Sequence, residues 1–264
     1  MSVYDNKLQN NNRLCCENIK NHLSNNVDIR FFDSIDSTNN EAKRRSDKLS
    51  DTPVLFVANH QHSGRGRLGR TFYSPKDTGL YMSLMLKQSD GFENIVCMTT
   101  AAAVCVCDAI RKLCDLNPKI KWVNDIYIEN KKVCGILCEA ITNPDTTEID
   151  GIIIGIGINI STTDFPEELC DTATSLRKDI DKSRLCAVVT DNLIDMQKNI
   201  SDKSFIDKYK TYSMVLQKEI TYTENGITKE ATAIDIDKDG SLVIKTIDGI
   251  KKLSTGEITV RVKK

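Results

Sequence analysis

Gly64-Arg65-Gly66-Arg67-Leu68-Gly69-Arg70 sets three arginines and three glycines into seven residues, a composition suited to a loop that closes on an anion. Glycine lets the backbone approach a ligand or turn through positive φ without steric cost. Each guanidinium offers a planar fork of donors that fits a carboxylate or a phosphate. The stretch also reads GxGxxG, but the dinucleotide-binding fingerprint needs a strand before it and a helix opening on its last glycine. Here Arg70-Thr71-Phe72-Tyr73-Ser74-Pro75 follows, and two aromatics and a proline do not begin a helix. Without a Gly-Lys-Ser/Thr ending, a Walker-type phosphate loop is excluded as well. A solvated basic loop is the alternative.

Two further stretches could carry chemistry. Lys121 lies in Lys-Trp-Val-Asn-Asp beside the only tryptophan, where it either holds an ammonium at the mouth of a pocket or snorkels from a surface. Asn124 and Asp125 are either functional or simply corner formers. Gly155-Ile156-Gly157-Ile158-Asn159 puts two glycines inside a strand, which marks either close approach of a ligand or backbone, or a bulge.

These pieces need elements to hold them. Ile29 to Ser34 reads as a strand, and Ser37-Thr38-Asn39 followed by Glu41 opens a helix reaching Lys48. Val54 to Asn59 and Leu80 to Leu86 are apolar strands flanking the arginine loop, so the loop joins two strands. Met98 to Leu113 has apolar residues at helical spacing. Short strands at Ile120 to Trp122 and Ile126 to Ile128 surround the Asn124-Asp125 corner. Lys131-Lys132 marks a turn into a strand from Val133 to Ala140, and Gly151 to Ile160 is a strand buried on both faces. Ser183 to Ile200 and Phe205 to Tyr212 read as helices. Beyond Met214 the pattern changes to short strands with turns at Asn225-Gly226, Asp239-Gly240 and Asp248-Gly249, the pattern of a small antiparallel barrel. The expected division is an N-terminal extension over 1–28, a catalytic domain over 29–213 and a C-terminal domain over 214–264.

Composition restricts the function further. The 264 residues carry a net charge of −1, so no global field draws the chain to nucleic acid or to an anionic membrane, and any anion site must be local. No run of 18 apolar residues and no signal-peptide core is present, so a cytoplasmic protein is expected. Ten cysteines include no CxxC pair, and His22, His60 and His62 are not spaced with them as zinc ligands. Reduced, mostly buried thiols and no protein-held metal are expected.

Six motifs in order then resemble one family. Asp36-Ser37-Thr38-Asn39, Gln61 with the arginine loop, Lys121-Trp122-Val123-Asn124-Asp125, Lys132-Val133-Cys134-Gly135-Ile136-Leu137, Gly155-Ile156-Gly157-Ile158-Asn159 and Gly256-Glu257-Ile258 together resemble the biotin protein ligases. The resemblance runs from about Ile29 to the C-terminus. It implies an α+β fold: a mixed sheet flanked by helices, like that of class II synthetases, with a small C-terminal SH3-like β-barrel. It also implies the short form, without a DNA-reading domain and without a repressor role. Two departures stand out: the family often has proline where Val123 stands and tryptophan where Phe72 stands.

The implied reaction joins biotin and ATP, with Mg²⁺ on the phosphates, into biotinyl-5′-AMP. The biotinyl group then passes to a lysine of a biotin carboxyl carrier protein or domain. No tightly bound prosthetic group is implied, and a homodimer is left open. By the same resemblance Ser37, Thr38, Asn39, Gln61, Gly64, Arg65, Gly66, Arg67, Lys121, Gly135, Ile136 and Leu137 would bind biotin. Arg67, Arg70, Phe72, Lys121, Asn124, Gly155, Gly157, Asn159, Glu257 and Arg261 would bind ATP. Lys121, Arg67 and Arg65 would be catalytic, with Asp125 a candidate acceptor of the amine proton. The physics agrees with a cationic site, because a carboxylate brought to about 4 Å from a phosphate charge is repelled by about 4 kcal/mol at an effective dielectric of 20. A lipoate or octanoate ligase, a biotin-sensing repressor and an inert binding module are the competing readings.

Overall fold

The computed structural model describes residues 14–87, 95–143, 145, 148–224, 226–254 and 259–262. Strands β1 (Asp28–Phe32), β2 (Val54–Ala58), β3 (Gly79–Lys87), β4 (Lys119–Lys121), β5 (Asp125–Ile128), β6 (Lys131–Thr142) and β7 (Ile149–Asn159) form a seven-stranded sheet in the order β1-β2-β3-β7-β6-β5-β4. β1 and β2 run parallel, and the other neighbouring pairs are antiparallel. The sheet is mixed, as the resemblance implied, and the arginine loop connects its adjacent strands β2 and β3.

Strand alternation divides this sheet into two different faces. Along β7, Ile152, Ile154, Ile156 and Ile158 belong to the main core with the helices. Helices α1 (Cys16–Lys20), α2 (Thr38–Arg44), α3 (Ile95–Cys114), α4 (Lys182–Lys198) and α5 (Phe205–Tyr212) complete this unit. α3 packs on β5 and β6, α4 packs on α3 and β3, and α5 packs on α3 and β4. α3 is buried nearly all round, since Ala101, Ala102, Ala103, Val104, Val106, Ala109 and Ile110 are each inaccessible. Asp181 caps α4 by accepting from the Arg184 backbone N–H at 3.0 Å, which satisfies one of the unpaired donors of the first turn.

The opposite face is covered differently. α2 lies on β2, β3 and β7, where Ala42 joins Phe56, Met85 and Ile153 in a second, smaller cluster. α2 is shorter than its sequence suggests. After Arg44 the chain tightens into a 3₁₀ turn over Ser46–Lys48, and Leu49 then packs against the smaller cluster.

The C-terminal strands β8 (Glu219–Glu224), β9 (Ile227–Ile236), β10 (Leu242–Thr246), β11 (Gly249–Leu253) and β12 (Thr259–Val262) form an antiparallel sheet in the order β11-β10-β9-β8-β12. This is the SH3-like unit implied by the resemblance. Ile236, Leu242, Ile244 and Leu253 belong to the same core cluster as Met98 and Ile120, so apolar packing runs from one sheet into the other. Trp122 Nε1 donates to the Gly240 carbonyl at 3.0 Å, and Lys210 pairs with Asp235 at 2.7 Å. Among the described residues no helix is long and apolar enough to cross a membrane.

All ten cysteines are free, seven of them buried and Cys170 exposed. Burial pushes the thiols of Cys105, Cys134 and Cys186 far up, and that of Cys138 to about 12. A thiol must ionise to react, so iodoacetamide at pH 8 should label Cys170 in the native protein and spare these four until denaturant is added. Peptide mass spectrometry of alkylated samples checks this; native labelling of Cys134 at the Cys170 rate would contradict the packing.

Candidate active site

The cleft begins with missing side chains. In register across the sheet, Tyr81 pairs with Gly157 and Gly157 with Gly135, while Ser83 pairs with Gly155 and Gly155 with Leu137. β7 runs through both glycines without a bulge, since the only register shift against β6 falls at Ile141/Thr142. The glycines are therefore close-approach positions. A Cβ on Gly155 would lie 1.9 Å from Asn39 Oδ1, and one on Gly157 would lie 2.4 Å from the Phe72 ring. What approaches the strand is thus a pair of side chains from α2 and the arginine loop.

The resulting cleft encloses about 290 Å³ including its open mouth, and is lined by Ser37, Thr38, Asn39, Gln61, Arg65, Phe72, Met82, Gly135, Leu137, Gly155, Ile156 and Gly157. This brings together most of the residues expected to hold biotin. It also sets Phe72, Gly155 and Gly157, expected on the ATP side, on the same walls. Ser37 is the N-cap of α2 yet makes no side-chain capping bond; it is buried and lines the cleft. Gln61 Oε1 accepts from the Thr38 N–H at 2.8 Å, and Gln61 Nε2 donates to Ser74 Oγ at 3.0 Å. Asp36 secures the other side of α2. Arg44 donates to it at 2.8 and 3.0 Å and Asn40 at 2.9 Å, and the Arg44 hydrogen bond holds the Asp36 carboxyl well below the usual range.

The arginine loop is a tight hairpin. Gly66 N–H donates to the Arg70 carbonyl at 2.7 Å and Phe72 N–H to the Gly64 carbonyl at 2.8 Å. Gly64 is needed because a Cβ there would lie 2.4 Å from the Phe72 carbonyl oxygen. Two arginines fasten this hairpin at opposite ends. Arg65 Nη1 reaches Glu139 Oε2 at 3.1 Å and Asn40 Oδ1 at 3.2 Å. Arg67 Nη1 donates to Asn124 Oδ1 at 3.1 Å. Burial pushes the Arg67 guanidinium below its ordinary value, a shift that the charge of Asp125 opposes. Arg70 is exposed. The Phe72 ring meets Tyr81 edge-on at 6.5 Å.

Two lysines bring positive charge to the far end. Lys121, at the end of β4, is half-buried with its ammonium 5.7 Å from the Tyr127 ring centroid. Lys132 was read as a turn marker and as the start of a family motif, with no role in the site assigned to it. The structure puts its Nζ 3.2 Å from where a Gly135 Cβ would stand, directly over the cleft floor, paired with Asp125 at 2.6 Å. Cross-strand register creates this arrangement, because Asp125 lies opposite Gly135. One pleat past Gly157, Asn159 Nδ2 donates to the Thr174 carbonyl at 3.1 Å. Asn159 Oδ1 and Ser175 Oγ are buried without a protein hydrogen-bond partner. Leaving such groups unsatisfied costs about 1–3 kcal/mol each, so this corner reserves hydrogen bonds for a ligand or ordered water. Ile136 is buried on the core face, and only its backbone serves the site, accepting from Asn124 Nδ2 at 2.8 Å. Arg261 falls on β12, opposite Thr221, and Glu257 lies outside the described residues.

Comparison with known proteins places this fold in a family. Residues 31–159 match the Biotin/lipoate A/B protein ligase family, and residues 216–261 match the Biotin protein ligase C terminal domain. Fold and site thus define a catalytic domain of the biotin and lipoate ligase class. The bifunctional ligase/repressor BirA of Bacillus subtilis is 33% identical over 238 residues, covering 86% of this chain and 72% of that protein. The Escherichia coli protein of the same name is 25% identical over 234 residues, with the same coverage. A biotin protein ligase from Aquifex aeolicus in complex with biotin and ATP superposes with a TM-score of 0.77 at 29% identity, covering 89% of this chain and 99% of that one. The chain belongs to the biotin protein ligase family and is a biotin ligase enzyme.

The floor makes a direct prediction. Gly155→Ala should displace Asn39 and weaken biotin binding on the order of tenfold, since one misplaced wall group costs about a hydrogen bond. It should also lower the thermal midpoint by several degrees. Calorimetric titration and a melting curve on the same sample test both; unchanged biotin affinity would show that the floor does not need its bare backbone.

Proposed function

We propose that this enzyme activates biotin with Mg²⁺–ATP to biotinyl-5′-AMP and transfers biotin to a specific lysine of a carboxyl carrier protein or domain of a biotin-dependent carboxylase, in the cytoplasm. The observation that carries the reading is the polarity of the cleft. Uncharged hydrogen-bonding groups of Ser37, Thr38 and Gln61 line the cleft together with Arg65, while the cations of Arg67, on Asn124, and Lys132, beside Gly135, lie outside that lining. That arrangement suits a neutral ureido ring joined by an apolar chain to a carboxylate. Burying the ring without partners would cost about 1–3 kcal/mol per group, which disfavours an acid lacking it, such as lipoate.

In the first step a biotin carboxylate oxygen attacks the α-phosphorus of ATP, and the bond to pyrophosphate breaks. Arg67, Lys132 and Lys121 would offset the approach of the two anions. The buried, unpartnered acceptor of Asn159 and the Ser175 hydroxyl would serve the nucleotide. Among the described residues no cluster of three acidic, His or Cys groups could hold a metal by itself. Magnesium would therefore ride mainly on the phosphates, as it does where one or two carboxylates suffice. In the second step a neutral lysine amine attacks the acyl carbon, releasing AMP and a proton. Deprotonating a free lysine costs roughly 4–5 kcal/mol at pH 7. Asp125, paired with Lys132, would be a carboxylate available to take that proton.

The test is biotin-dependent ATP–pyrophosphate exchange, with lipoate as the contrast, followed by transfer to a purified carboxyl carrier domain. Exchange with biotin alone is expected. Lys132→Ala should slow it on the order of 10²-fold, and Arg67→Gly should release the adenylate to label bystander proteins. Exchange with lipoate and not biotin would overturn the reading. The net charge of −1 supports a ligase without a repressor role; a specific biotin-operon complex at physiological salt would remove that part.

A further inference from the structure

Resting on the reading of the cleft as a biotin site, we propose that Ser74 is a positioning residue whose hydroxyl fastens Gln61, on the wall of the cleft, to Phe72, over its floor, so that each holds the other in place for the ligand. Ser74 follows the arginine hairpin and is buried. Its one hydrogen goes to the Phe72 carbonyl, 3.0 Å away, because a carbonyl only accepts. That leaves the Ser74 oxygen as an acceptor, and Gln61 Nε2 donates to it at 3.0 Å. At the other end of the same amide, Gln61 Oε1 accepts from the Thr38 N–H at 2.8 Å and from the Thr38 hydroxyl at 3.1 Å. The hydrogens therefore run one way, from Thr38 through Gln61 and Ser74 to Phe72. The Thr38 N–H by itself orients the Gln61 amide; what Ser74 adds is the link from that amide to the hairpin.

Phe72 is what the link secures. Its ring lies 2.4 Å from where a Gly157 Cβ would stand and 3.2 Å from where a Gly135 Cβ would stand, so it spans the paired glycines of the floor. Gly64 leaves the room that the link needs. A Cβ there would lie 2.4 Å from the Phe72 carbonyl oxygen, 2.6 Å from Ser74 Oγ and 3.2 Å from Gln61 Nε2, crowding all three linked groups at once. Backbone bonds from Phe72 N–H to the Gly64 carbonyl at 2.8 Å and from Gln61 N–H to the Ser74 carbonyl at 3.3 Å align the main chains. The hydroxyl bridge is the contact that reaches the Gln61 side chain, and so the one through which the wall and the floor cover depend on each other.

A double-mutant cycle on biotin binding, measured by calorimetric titration without ATP, tests the link. Gln61→Ala, Phe72→Ala and the pair are compared in the wild-type chain and again in a chain carrying Ser74→Ala. In the wild-type chain the two losses should be non-additive by roughly fivefold or more, because removing either residue already frees the other. With Ser74→Ala they should combine to within about twofold of additivity, as expected for residues that share no partner. Ser74→Ala alone should weaken biotin on the order of tenfold. Gly64→Ala, which forces the bridge apart without removing the hydroxyl, should abolish the non-additivity in the same way and decides the matter if Ser74→Ala does not fold. A wild type that binds no biotin would overturn the reading of the cleft, and this proposal with it. Given binding, additive losses in the wild-type chain, non-additivity that survives Ser74→Ala, or a Ser74→Ala affinity within twofold of wild type would each overturn the proposal alone.

Discussion

Two glycines paired across β6 and β7 are the constraint on which the site depends. Gly135 and Gly157 leave a bare backbone floor in the middle of a sheet whose other face is filled by isoleucine. Bare strand is costly, because each glycine gives up packing and conformational restraint. The helices α3, α4 and α5 offset that cost by burying the opposite face completely. The floor can be empty of side chains only because the ceiling beneath it is full.

What covers the floor is held by charge rather than by apolar packing. Arg65 grips Glu139 at the α2 end and Arg67 grips Asn124 at the corner, so the hairpin is strapped across the sheet at two points. The exposure of Arg65 limits the worth of its grip to roughly 1 kcal/mol or less. Such grips can exchange for contacts with a ligand without unfolding anything else. A chain of net charge −1 thus concentrates cations where two anions must meet, with no long-range field to attract others.

Much of this was legible from residue order. The loop between two strands, the helix following Ser37, the long buried helix near Ala101 and the change of pattern after Met214 all follow from period and turn chemistry. Of the residues expected to hold biotin, Ser37, Thr38, Asn39, Gln61 and Arg65 do meet in one cleft. Lys132 and Glu139 were not legible as site residues, because their place depends on register. Lys132 looks like a turn residue until Asp125 is known to lie opposite Gly135, and Glu139 looks like a solvated strand residue until α2 is laid over it. Ser37 was read both as a helix opener and, through the resemblance, as a ligand residue; it makes no side-chain capping bond and lines the cleft. For the glycines of β7 the sequence allowed a bulge or a close approach. Only the unbroken register and the positions of Asn39 and Phe72 separate the two.

The Lys121-Trp122-Val123-Asn124-Asp125 corner shows why a short polar turn must be so specific. Its backbone and side chains face four directions at once. Trp122 binds the Gly240 carbonyl of the C-terminal unit, and the Val123 carbonyl accepts from the buried Tyr209 hydroxyl of α5 at 3.2 Å. Asn124 holds Arg67 and the Ile136 carbonyl, and Asp125 holds Lys132. Each contact is worth only about 1 kcal/mol, so none of them fixes the corner alone. Together they make the placement of the C-terminal unit, of α5, of the arginine loop and of the floor lysine depend on one turn. Displacing that turn by the length of a hydrogen bond would misplace all four, which explains how a stretch contributing no large apolar area beyond one tryptophan ties the cleft to the rest of the fold.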